Sequence, residues 1–389
     1  MSAPKKMINV LYLTNNAGRA STTVATRGWL QNLMPRGLHP VVVSPVAGEF
    51  QEWVESEGGA FYRLDLPFPS KTRLWPFARS LWRLRRIVKR HQIDIIHSNE
   101  QDVYPIAGWL ARLSRIPVIV SVHFTMDRDF CEWAFGKIHT PARMLFISRG
   151  NVEACRAAVQ GVVPENRWLL LPNGLDLRHY QPDEERRRLF RSEHGLANEI
   201  AIGVACAIRP RKQLEHLFEA VGRDVGVPVR VFVAGSAMPG DEDYARALLD
   251  GARAKLGDRL VLLGYLEELR NLLNGLDVFV NTSQEEACSI SILEALACGC
   301  PVLGYPSKSV DEQVLPQGGE MIPQDDVDRL TTSLRRWVAD AAALSARRRG
   351  ARQRVQESYD IAALSEQLWR EYEAMRGGAP IAQRQRLLA

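Results

Sequence analysis

The segment SQEEACSISILEALACGCPVLGY, residues 283–305, changes character along its length. It begins polar, continues as an apolar run with the pattern of a buried helix, and breaks at Gly299 and Pro301. The residues that lead into it, DVFVNTS (277–283), have the composition of a strand. The sequence therefore predicts a strand, a polar loop and a helix that starts near Ser289.

On both sides of this segment, short apolar runs alternate with helical patterns. Continuous Val/Ile-rich runs separated by helices are typical of a parallel sheet covered on both faces. Two successive sets predict an α/β fold of two Rossmann-like domains that face a cleft. The runs that we predict as strands are 8–14, 39–45, 93–98, 116–123 and 143–148 in the first set, and 199–208, 229–236, 259–264, 277–283 and 301–306 in the second.

The joint between the two sets lies near LPNGLDLRHYQPDEERRRLF (171–190), where an Asn-Gly turn meets a polar, proline-containing stretch. We predict an N-terminal domain of residues 1–177 and a C-terminal domain of residues 178–359. The last predicted helix, 361–375, is amphipathic and needs a partner surface. We assign the C-terminal segment, about 360–389, to the N-terminal domain.

Length and composition are those of a soluble two-domain enzyme, with 389 residues, 46% hydrophobic and 24% charged. No run of eighteen apolar residues predicts a membrane-spanning helix, and the N-terminal stretch does not resemble a signal peptide. The six cysteines form no CxxC pair. We therefore expect reduced thiols in a cytoplasmic protein, with zinc binding as a remote alternative.

One predicted helix, KTRLWPFARSLWRLRRIVKRHQ (71–92), is strongly basic and contains no acidic residue. Its eight Lys and Arg residues exceed the net charge of +5, so the rest of the chain is net negative. Its apolar face is predicted to consist of Phe77, Leu81, Leu84 and Val88.

The basic face has two main interpretations: a solvated face of a sheet-covering helix, or a surface that meets an anionic membrane through Arg83, Arg86 and Arg90. Nucleic acid is a weaker candidate because no recognised binding motif accompanies the helix, and we expect no nucleic-acid partner.

The two carboxylates of the opening segment, Glu286 and Glu294, bracket seven residues at the predicted start of a helix. A helix N-terminus favours anions such as phosphate, because its N–H groups are free and its dipole end is positive. Carboxylates at such a place repel phosphate, but they accept hydrogen bonds from hydroxyls on either side of it. A nucleotide sugar has this polarity, with ribose hydroxyls, a diphosphate and sugar hydroxyls.

The same segment resembles the Glu-x7-Glu motif of the retaining glycosyltransferases of family 4, which have the GT-B fold. EACSISILEALACGCPV (286–302) is similar to that motif most closely in its second half, and it departs from it at Ala287 and Cys288, where glycine and an aromatic residue are usual. The resemblance covers most of the chain. It also includes DIIHS (94–98), IPVIVSVHF (116–124), LFISRGN (145–151), LPNGLD (171–176) and the region 234–269.

The resemblance implies roles for residues around the acid pair. Glu294 would accept hydrogen bonds from the ribose hydroxyls, and Glu286 would hold hydroxyls of the transferred sugar. The backbone at Ser289 and Ile290 would meet the diphosphate. Lys212, in IRPRKQLEHL (208–217), matches the lysine that neutralises the leaving diphosphate.

Three further positions are implied in the same way. His123 matches the histidine near the reacting sugar, and Gly18 belongs to the glycine-bearing loop after the first strand, which approaches the phosphate. Tyr265 lies where the base is usually met, mostly by backbone.

The chain departs from the family where a Gly-Arg pair usually precedes the lysine. Cys206 and Ala207 stand there instead, and Gln213 replaces a glycine. Either Arg209 or Arg211 could restore the missing positive charge. We expect Arg209 to do so, if the strand ends at Ala207 and the arginine then turns into the cleft.

Each of these residues also has a purely structural interpretation. Glu294 could be a surface acid on an amphipathic helix, His123 a satisfied histidine at a strand end, and Lys212 a solvated lysine. The acidic triplets DRD (127–129) and DED (241–243) resemble the metal-binding motif of the other large glycosyltransferase fold. Such triplets are common by chance, and we expect no metal and no cofactor.

The resemblance implies a retaining glycosyltransferase that moves a sugar from a nucleoside diphosphate sugar to a sugar, lipid-linked or cell-envelope acceptor. We expect it in the cytoplasm, peripheral on the inner face of the cytoplasmic membrane. Two alternatives remain: a catalytically silent subunit that binds sugar nucleotides, and a nucleotide-sugar epimerase of the same fold.

Overall fold

The computed structural model describes residues 7–18, 21–70, 73–286, 288–307 and 309–377; Lys71, Ala287 and the tail after Gly377 lie outside these ranges. The chain divides into two compact units. Unit 1 comprises the residues up to Gly174 and those from Ile361 onward, and unit 2 comprises Leu175–Asp360. The predicted division was at residues 177/178 and about 360.

Unit 1 contains a seven-stranded parallel sheet of order β3-β2-β1-β4-β5-β6-β7. Its strands are β1 (Ile8–Leu13), β2 (Leu38–Ser44), β3 (Ala60–Arg63), β4 (Ile95–Ser98), β5 (Val118–Val122), β6 (Arg143–Phe146) and β7 (Trp168–Leu170). Its helices are α1 (Ser21–Leu33), α2 (Glu49–Ser56), α3 (Leu74–Arg90), α4 (Tyr104–Ser114), α5 (Arg128–Cys131), α6 (Arg149–Val159) and, from the C-terminus, α15 (Ile361–Arg376).

Alternate residues of the unit 1 strands enter two separate apolar cores, one on each face of the sheet. Leu11 packs with α3, α4 and α6 on one face, whereas Tyr12 packs with α1, α2 and α15 on the other. Both faces are therefore buried, which explains why these strands are continuous apolar runs. The predicted apolar face of α3 is confirmed: Phe77, Leu84 and Val88 are buried, and Leu81 packs against them.

Unit 2 contains a six-stranded parallel sheet of order β10-β9-β8-β11-β12-β13. Its strands are β8 (Ile200–Ala205), β9 (Val229–Ala234), β10 (Leu260–Gly264), β11 (Val278–Asn281), β12 (Val302–Gly304) and β13 (Gly319–Met321). Its helices are α7 (Glu184–Glu193), α8 (Leu214–Gly222), α9 (Glu242–Leu256), α10 (Arg270–Gly275), α11 (Ile290–Ala297), α12 (Val310–Val314), α13 (Val327–Val338) and α14 (Ala341–Ser358).

The unit 2 sheet is also covered on both faces. Ile202 and Val204 pack with α8, α9 and α13, whereas Ala201 and Ala205 pack on the side of α10, α11 and α14. Two parallel, doubly covered sheets confirm the predicted α/β architecture. Four of the six cysteines are buried, namely Cys131, Cys155, Cys298 and Cys300.

The C-terminal helix α15 returns to unit 1, as predicted. It packs against α1 in the core that contains Tyr12 and Trp29. Tyr372 links it to the sheet, because its hydroxyl lies 2.7 Å from Nδ1 of His97 and 2.9 Å from the hydroxyl of Tyr12. His97 is fully buried and its other nitrogen lies 2.9 Å from Ser121 Oγ, so this histidine supports the sheet.

The start of α15 depends on a glycine. A Cβ atom added at Gly174 would lie 2.8 Å from the Cα atom of Ile361, the first residue of the helix. Real Cβ atoms do not approach backbone this closely, so only glycine allows α15 to begin here.

Candidate active site

The order of strands in unit 2 defines where a ligand is expected. The central strand β8 pairs with β9 on one side and with β11 on the other, so the chain reverses its direction of winding at β8. In open parallel sheets, ligands bind beyond the carboxyl ends of the strands at such a switch point. Lys212 follows β8 and Glu286 follows β11, so both lie at this place.

Lys212 and Glu286 form an ion pair through Nζ and Oε1. Both side chains are about nine-tenths buried. Two further hydrogen bonds tie their loops together: Thr282 Oγ1 donates to the carbonyl oxygen of Lys212 at 2.8 Å, and the Gln284 amide donates to that of Arg211 at 2.9 Å. The loops after β8 and β11 therefore hold this buried pair of charges in place.

A cavity of about 10 Å³, the size of a single water molecule, lies beside the pair. Asn281, at the end of β11, lines it together with Lys212, Glu286 and Ser289. The Nδ2 atom of Asn281 is buried and has no hydrogen-bond partner in the described part of the chain. Because a buried donor without a partner is costly, this amide is available to a ligand. We did not predict Asn281 from the sequence.

The two candidate arginines, Arg209 and Arg211, make different contacts. Arg209 lies 3.5 Å from Asp241 through Nε and Oδ2. Arg211 donates from Nη1 to the carbonyl oxygen of Glu285 at 2.8 Å and lies 4.0 Å from Glu286 Oε2. The expectation for Arg209 assumed that the strand ends at Ala207, but β8 ends two residues earlier, at Ala205. Arg211, and not Arg209, lies beside the Lys212–Glu286 pair.

The start of α11 is held by Gln313, a residue that the sequence analysis missed. Its side chain accepts a hydrogen bond from the Ser289 amide at 3.2 Å and donates to the Ser289 carbonyl oxygen at 3.0 Å. Ser289 is the N-cap residue and is buried, as is Gln313. Because the Ser289 amide is occupied, the amides that follow it, starting with Ile290, are the ones that can meet an anion.

Glu294, one turn into α11, is partly buried and receives a hydrogen bond from the hydroxyl of Tyr180. Burial raises the pKa of Glu294 to about 7; the Glu268 carboxylate acts in the same direction, and the Tyr180 hydrogen bond opposes it. Glu268 itself pairs with Arg270 at 2.5 Å. Tyr180 lies in the segment 171–190, which we identified from the sequence only as the joint between the two domains. Its hydrogen bond to Glu294 was therefore not predicted.

Tyr265, directly after β10, is 59% exposed. Because Tyr265 follows the carboxyl end of a strand, it lies at the same edge of the unit 2 sheet as the Lys212–Glu286 pair. Its exposure makes it accessible to a ligand there.

In unit 1, Gly18 follows β1, but the space around it would also accept a residue with a side chain. A Cβ atom added there would meet nothing within 4 Å. The constrained glycine of this loop is Gly48, where an added Cβ would lie 2.5 Å from the carbonyl oxygen of Ala17. Gly48 therefore lets the loop after β1 pack closely against the start of α2.

His123 follows β5 and is buried. Burial lowers the pKa of His123 to about 4, so the ring is neutral near pH 7. Nε2 lies 2.9 Å from the carbonyl oxygen of Asn99, which can only accept, so Nε2 carries the proton. Nδ1 is then an acceptor, and no other described residue donates to it.

Glu100, at the carboxyl end of β4, is a buried acid that the sequence analysis did not single out. Its carboxylate accepts hydrogen bonds from Thr14 Oγ1 at 2.8 Å and from the Asn15 amide at 3.2 Å. Strands β1 and β4 are neighbours at the switch point of unit 1. Its signal in the sequence was a charged residue two positions after a buried strand.

The titration of Glu100 predicts a pH dependence of stability. Burial raises the pKa of Glu100 from 4.5 to about 7, so the folded protein binds a proton that the unfolded chain releases. The contribution of this group to the free energy of unfolding should therefore fall as the pH rises from about 4.5 to about 7, by on the order of 3 kcal/mol. The melting temperature of Glu100→Gln relative to wild type should rise over this interval. A difference that stays constant with pH would contradict this.

The described residues contain no cluster of three His, Cys, Asp or Glu side chains that could hold a metal ion. The acidic triplets have other contacts: Asp127 caps α5 by accepting from the Phe130 amide at 2.7 Å, and Asp241 lies beside Arg209. None of the described helices is long and apolar enough to cross a membrane.

Comparison with known proteins identifies both units. Residues 22–174 match the model of the glycosyl transferase 4-like domain, and residues 199–340 match that of the glycosyl transferases group 1. A galactosyltransferase of Escherichia coli, named UDP-Gal:alpha-D-GlcNAc-diphosphoundecaprenol alpha-1,3-galactosyltransferase, is 25% identical over 73% of this chain and 76% of its own length. A GDP-mannose-dependent alpha-mannosyltransferase of Mycobacterium tuberculosis is 25% identical over 90% and 91%.

Among solved structures, HepE of Anabaena in complex with UDP and glucose has a TM-score of 0.79 and 18% identity, covering 94% of this chain and 100% of HepE. This likeness shows a shared fold, which is the GT-B fold predicted from the motifs. The two family models together cover most of the chain, one in each unit. The chain therefore belongs to the group 1 glycosyltransferases.

Proposed function

We propose that this glycosyltransferase takes a sugar from a nucleoside diphosphate sugar, with retention of its anomeric configuration, and transfers it to an acceptor of the cell envelope. The observation that carries the proposal is the convergence of Lys212, Glu286 and the start of α11 at the switch point of the unit 2 sheet. This arrangement offers a cation, a hydroxyl acceptor and free amides within one small region.

The proposed donor contacts follow from these groups. The Lys212 ammonium and the amides from Ile290 onward face the diphosphate, and Asn281 Nδ2 donates to a ligand oxygen. Glu286 accepts hydrogen bonds from sugar hydroxyls, and Glu294 accepts them from the ribose. Tyr265 meets the base. In unit 1, His123 offers Nδ1 as an acceptor to a substrate hydroxyl.

In the proposed reaction, the bond between the anomeric carbon and the diphosphate oxygen breaks, and a bond from that carbon to the acceptor oxygen forms. The acceptor hydroxyl loses its proton to the leaving diphosphate, on the same face of the sugar. Lys212 and Arg211 stabilise the charge that develops on the diphosphate, where preorganised donors have their largest effect. Glu286 is paired with Lys212 and is therefore poorly suited to act as a nucleophile, which supports same-face transfer.

Two experiments test this function. A thermal-shift panel of nucleotide sugars identifies the donor, since a ligand at ~100 times its Kd adds ~2.7 kcal/mol to stability. The anomeric configuration of the product, measured by NMR, should then equal that of the donor. Inversion would contradict retention. Conversion of the donor sugar without an acceptor would indicate an epimerase, and binding without transfer or hydrolysis would indicate a silent subunit.

The two arginines beside the donor site give a direct comparison. Arg211→Ala should lower kcat/KM for the donor by about tenfold or more, because Arg211 lies next to the Lys212–Glu286 pair. Arg209→Ala should change it little, because that side chain is directed to Asp241. This order is the reverse of the expectation from the sequence. A larger loss for Arg209→Ala in steady-state kinetics would restore that expectation.

The acceptor is proposed to be lipid-linked, because the Escherichia coli relative is named for a diphosphoundecaprenol acceptor. A peripheral enzyme on such an acceptor needs a membrane-facing surface. The exposed residues Arg83, Arg86 and Arg90 of α3 supply positive charge for it. The wild-type protein should cosediment with anionic vesicles at low salt and be released by high salt. Protein that stays in the supernatant at low salt rules out this surface.

A further inference from the structure

An open groove of about 1360 Å³ lies within unit 1, between α3 and the segment that follows β3. Arg73, Arg79 and Arg83 line it from the side of α3, and Arg63 lines it from the opposite side. Among the described residues that line the groove, Asp65 is the one acidic residue. The groove therefore gathers four guanidinium groups around a space large enough for a ligand of substantial size.

The arginines of α3 in this groove have no carboxylate partner in the part of the chain that the structure describes. Among the described residues, no acidic side chain forms an ion pair with Arg73, Arg79 or Arg83, whereas many arginines elsewhere in the chain are paired. Arg79 and Arg83 are four residues apart on the helix, a spacing at which like charges destabilise it. An anion bound between them would remove this repulsion. Guanidinium groups bind phosphate through two parallel hydrogen bonds, so phosphate suits this site well.

The same groove also carries exposed apolar surface. Trp75 is 86% exposed and Trp82 is 57% exposed, and both line the groove with Leu66 and Pro67. Large aromatic side chains are seldom left this accessible without a partner. The Arg86 guanidinium lies 4.8 Å from the ring centre of Trp82 and holds it against the helix. The chemistry of the groove thus suits a ligand with a phosphate and a hydrocarbon part.

One end of the groove reaches the switch point of the unit 1 sheet. Asn15, a lining residue two positions after β1, donates from its amide to Glu100 at 3.2 Å and from Nδ2 to Asp102 at 2.9 Å. The groove therefore extends from the arginines of α3 to Asn15, a polar residue beyond the carboxyl end of β1.

We propose that this arginine- and tryptophan-lined groove is the acceptor site and that it binds a phosphorylated lipid. Its phosphate or diphosphate pairs with Arg79 and Arg83, and its hydrocarbon chain lies on Trp75 and Trp82. Its hydroxyl-bearing part extends toward Asn15. The assignment of this ligand as acceptor rests on the proposed transferase function, whereas the binding site itself does not.

The test uses short soluble probes that separate the two parts of the ligand. Farnesyl diphosphate carries both, farnesol carries the chain alone, and inorganic diphosphate carries the phosphate alone. By isothermal titration calorimetry at physiological salt, wild-type protein should bind farnesyl diphosphate at least tenfold more tightly than either of the other probes. Equal affinity for inorganic diphosphate would show a simple phosphate site, and equal affinity for farnesol an apolar surface; each result overturns the proposal.

A matched pair of variants locates the site. Arg79→Ser with Arg83→Ser removes two charges inside the groove, and it should weaken farnesyl diphosphate binding by at least tenfold. Arg85→Ser with Lys89→Ser removes two exposed charges at the same spacing on the same helix, outside the groove lining. This control should change the affinity by less than about threefold. Equal losses would show a general electrostatic effect of α3, and no loss in the first variant would place the probe elsewhere; both outcomes contradict the groove.

Failure of this proposal can be separated from failure of the proposed function. Donor hydrolysis by the wild-type protein, measured without any lipid, reports on the transferase chemistry alone. Hydrolysis without probe binding would support the proposed function and contradict the groove as the acceptor site. Probe binding without hydrolysis or transfer would support the binding site and contradict its role as an acceptor site.

Discussion

Replacing Lys212 by alanine is expected to lower kcat by about 10²–10³-fold, with a much smaller change in KM for the donor. Lys212 is only 8% exposed and is held against Glu286 by the loops after β8 and β11. A preorganised cation in a site with little water contributes most when charge develops on the leaving diphosphate. Steady-state kinetics with the identified donor provides the measurement.

The control for this prediction is Arg209→Ala, which removes a cation from the same turn while leaving the Lys212–Glu286 pair intact. Because Lys212→Ala leaves the Glu286 carboxylate without its partner, its melting temperature must also be compared with that of wild type. A rise in KM with unchanged kcat would show that Lys212 only binds the ground state of the donor. That result would remove it from the catalytic step.

Glu294→Ala is expected to weaken binding of the donor and of the free nucleoside diphosphate equally, by about 1–3 kcal/mol. The loss should be equal because Glu294 is proposed to contact the ribose, which both ligands share. Tyr180→Phe should have a smaller effect, because it keeps the carboxylate and removes only the hydroxyl that orients it. Calorimetric titration of both ligands measures the two effects. Unchanged nucleotide affinity in a folded Glu294→Ala variant would exclude the ribose contact.

The pKa of Glu294 adds a pH dependence to this prediction. Burial raises this pKa to about 7, so the carboxyl group is partly protonated at neutral pH before the ligand binds. The ionised form is the better acceptor for two ribose hydroxyls, so nucleotide affinity should increase from pH 6 to pH 8. The increase should be smaller in Glu294→Gln, which does not titrate; this comparison cancels the titration of the nucleotide itself.

The central architecture was determined by the sequence alone. All ten predicted strands are present, because strands buried on both faces must be continuous apolar runs, and that pattern is local. The start of α11 after Ser289 was predicted from the sequence. Lys212 and Glu286, which the resemblance singled out, lie side by side in the structure.

The three strands that the sequence analysis missed are all at sheet edges: β3 and β7 in unit 1, and β13 in unit 2. They are short, with three or four residues each, and several of their residues are only partly buried. An edge strand has one neighbour and a weaker apolar pattern, so its assignment depends on pairing with a strand that is already in place.

The tertiary structure alone decided which side chains meet. Arg211 lies beside Glu286 although the sequence favoured Arg209, since the end of β8 and the turn after it set the direction of each side chain. The contacts of Glu294 with Tyr180 and of Glu100 with Thr14 join distant parts of the chain. Local sequence encodes which residues are buried, by their periodicity. The choice of a polar partner for a buried group is made only when the packed elements bring the two side chains within hydrogen-bonding distance.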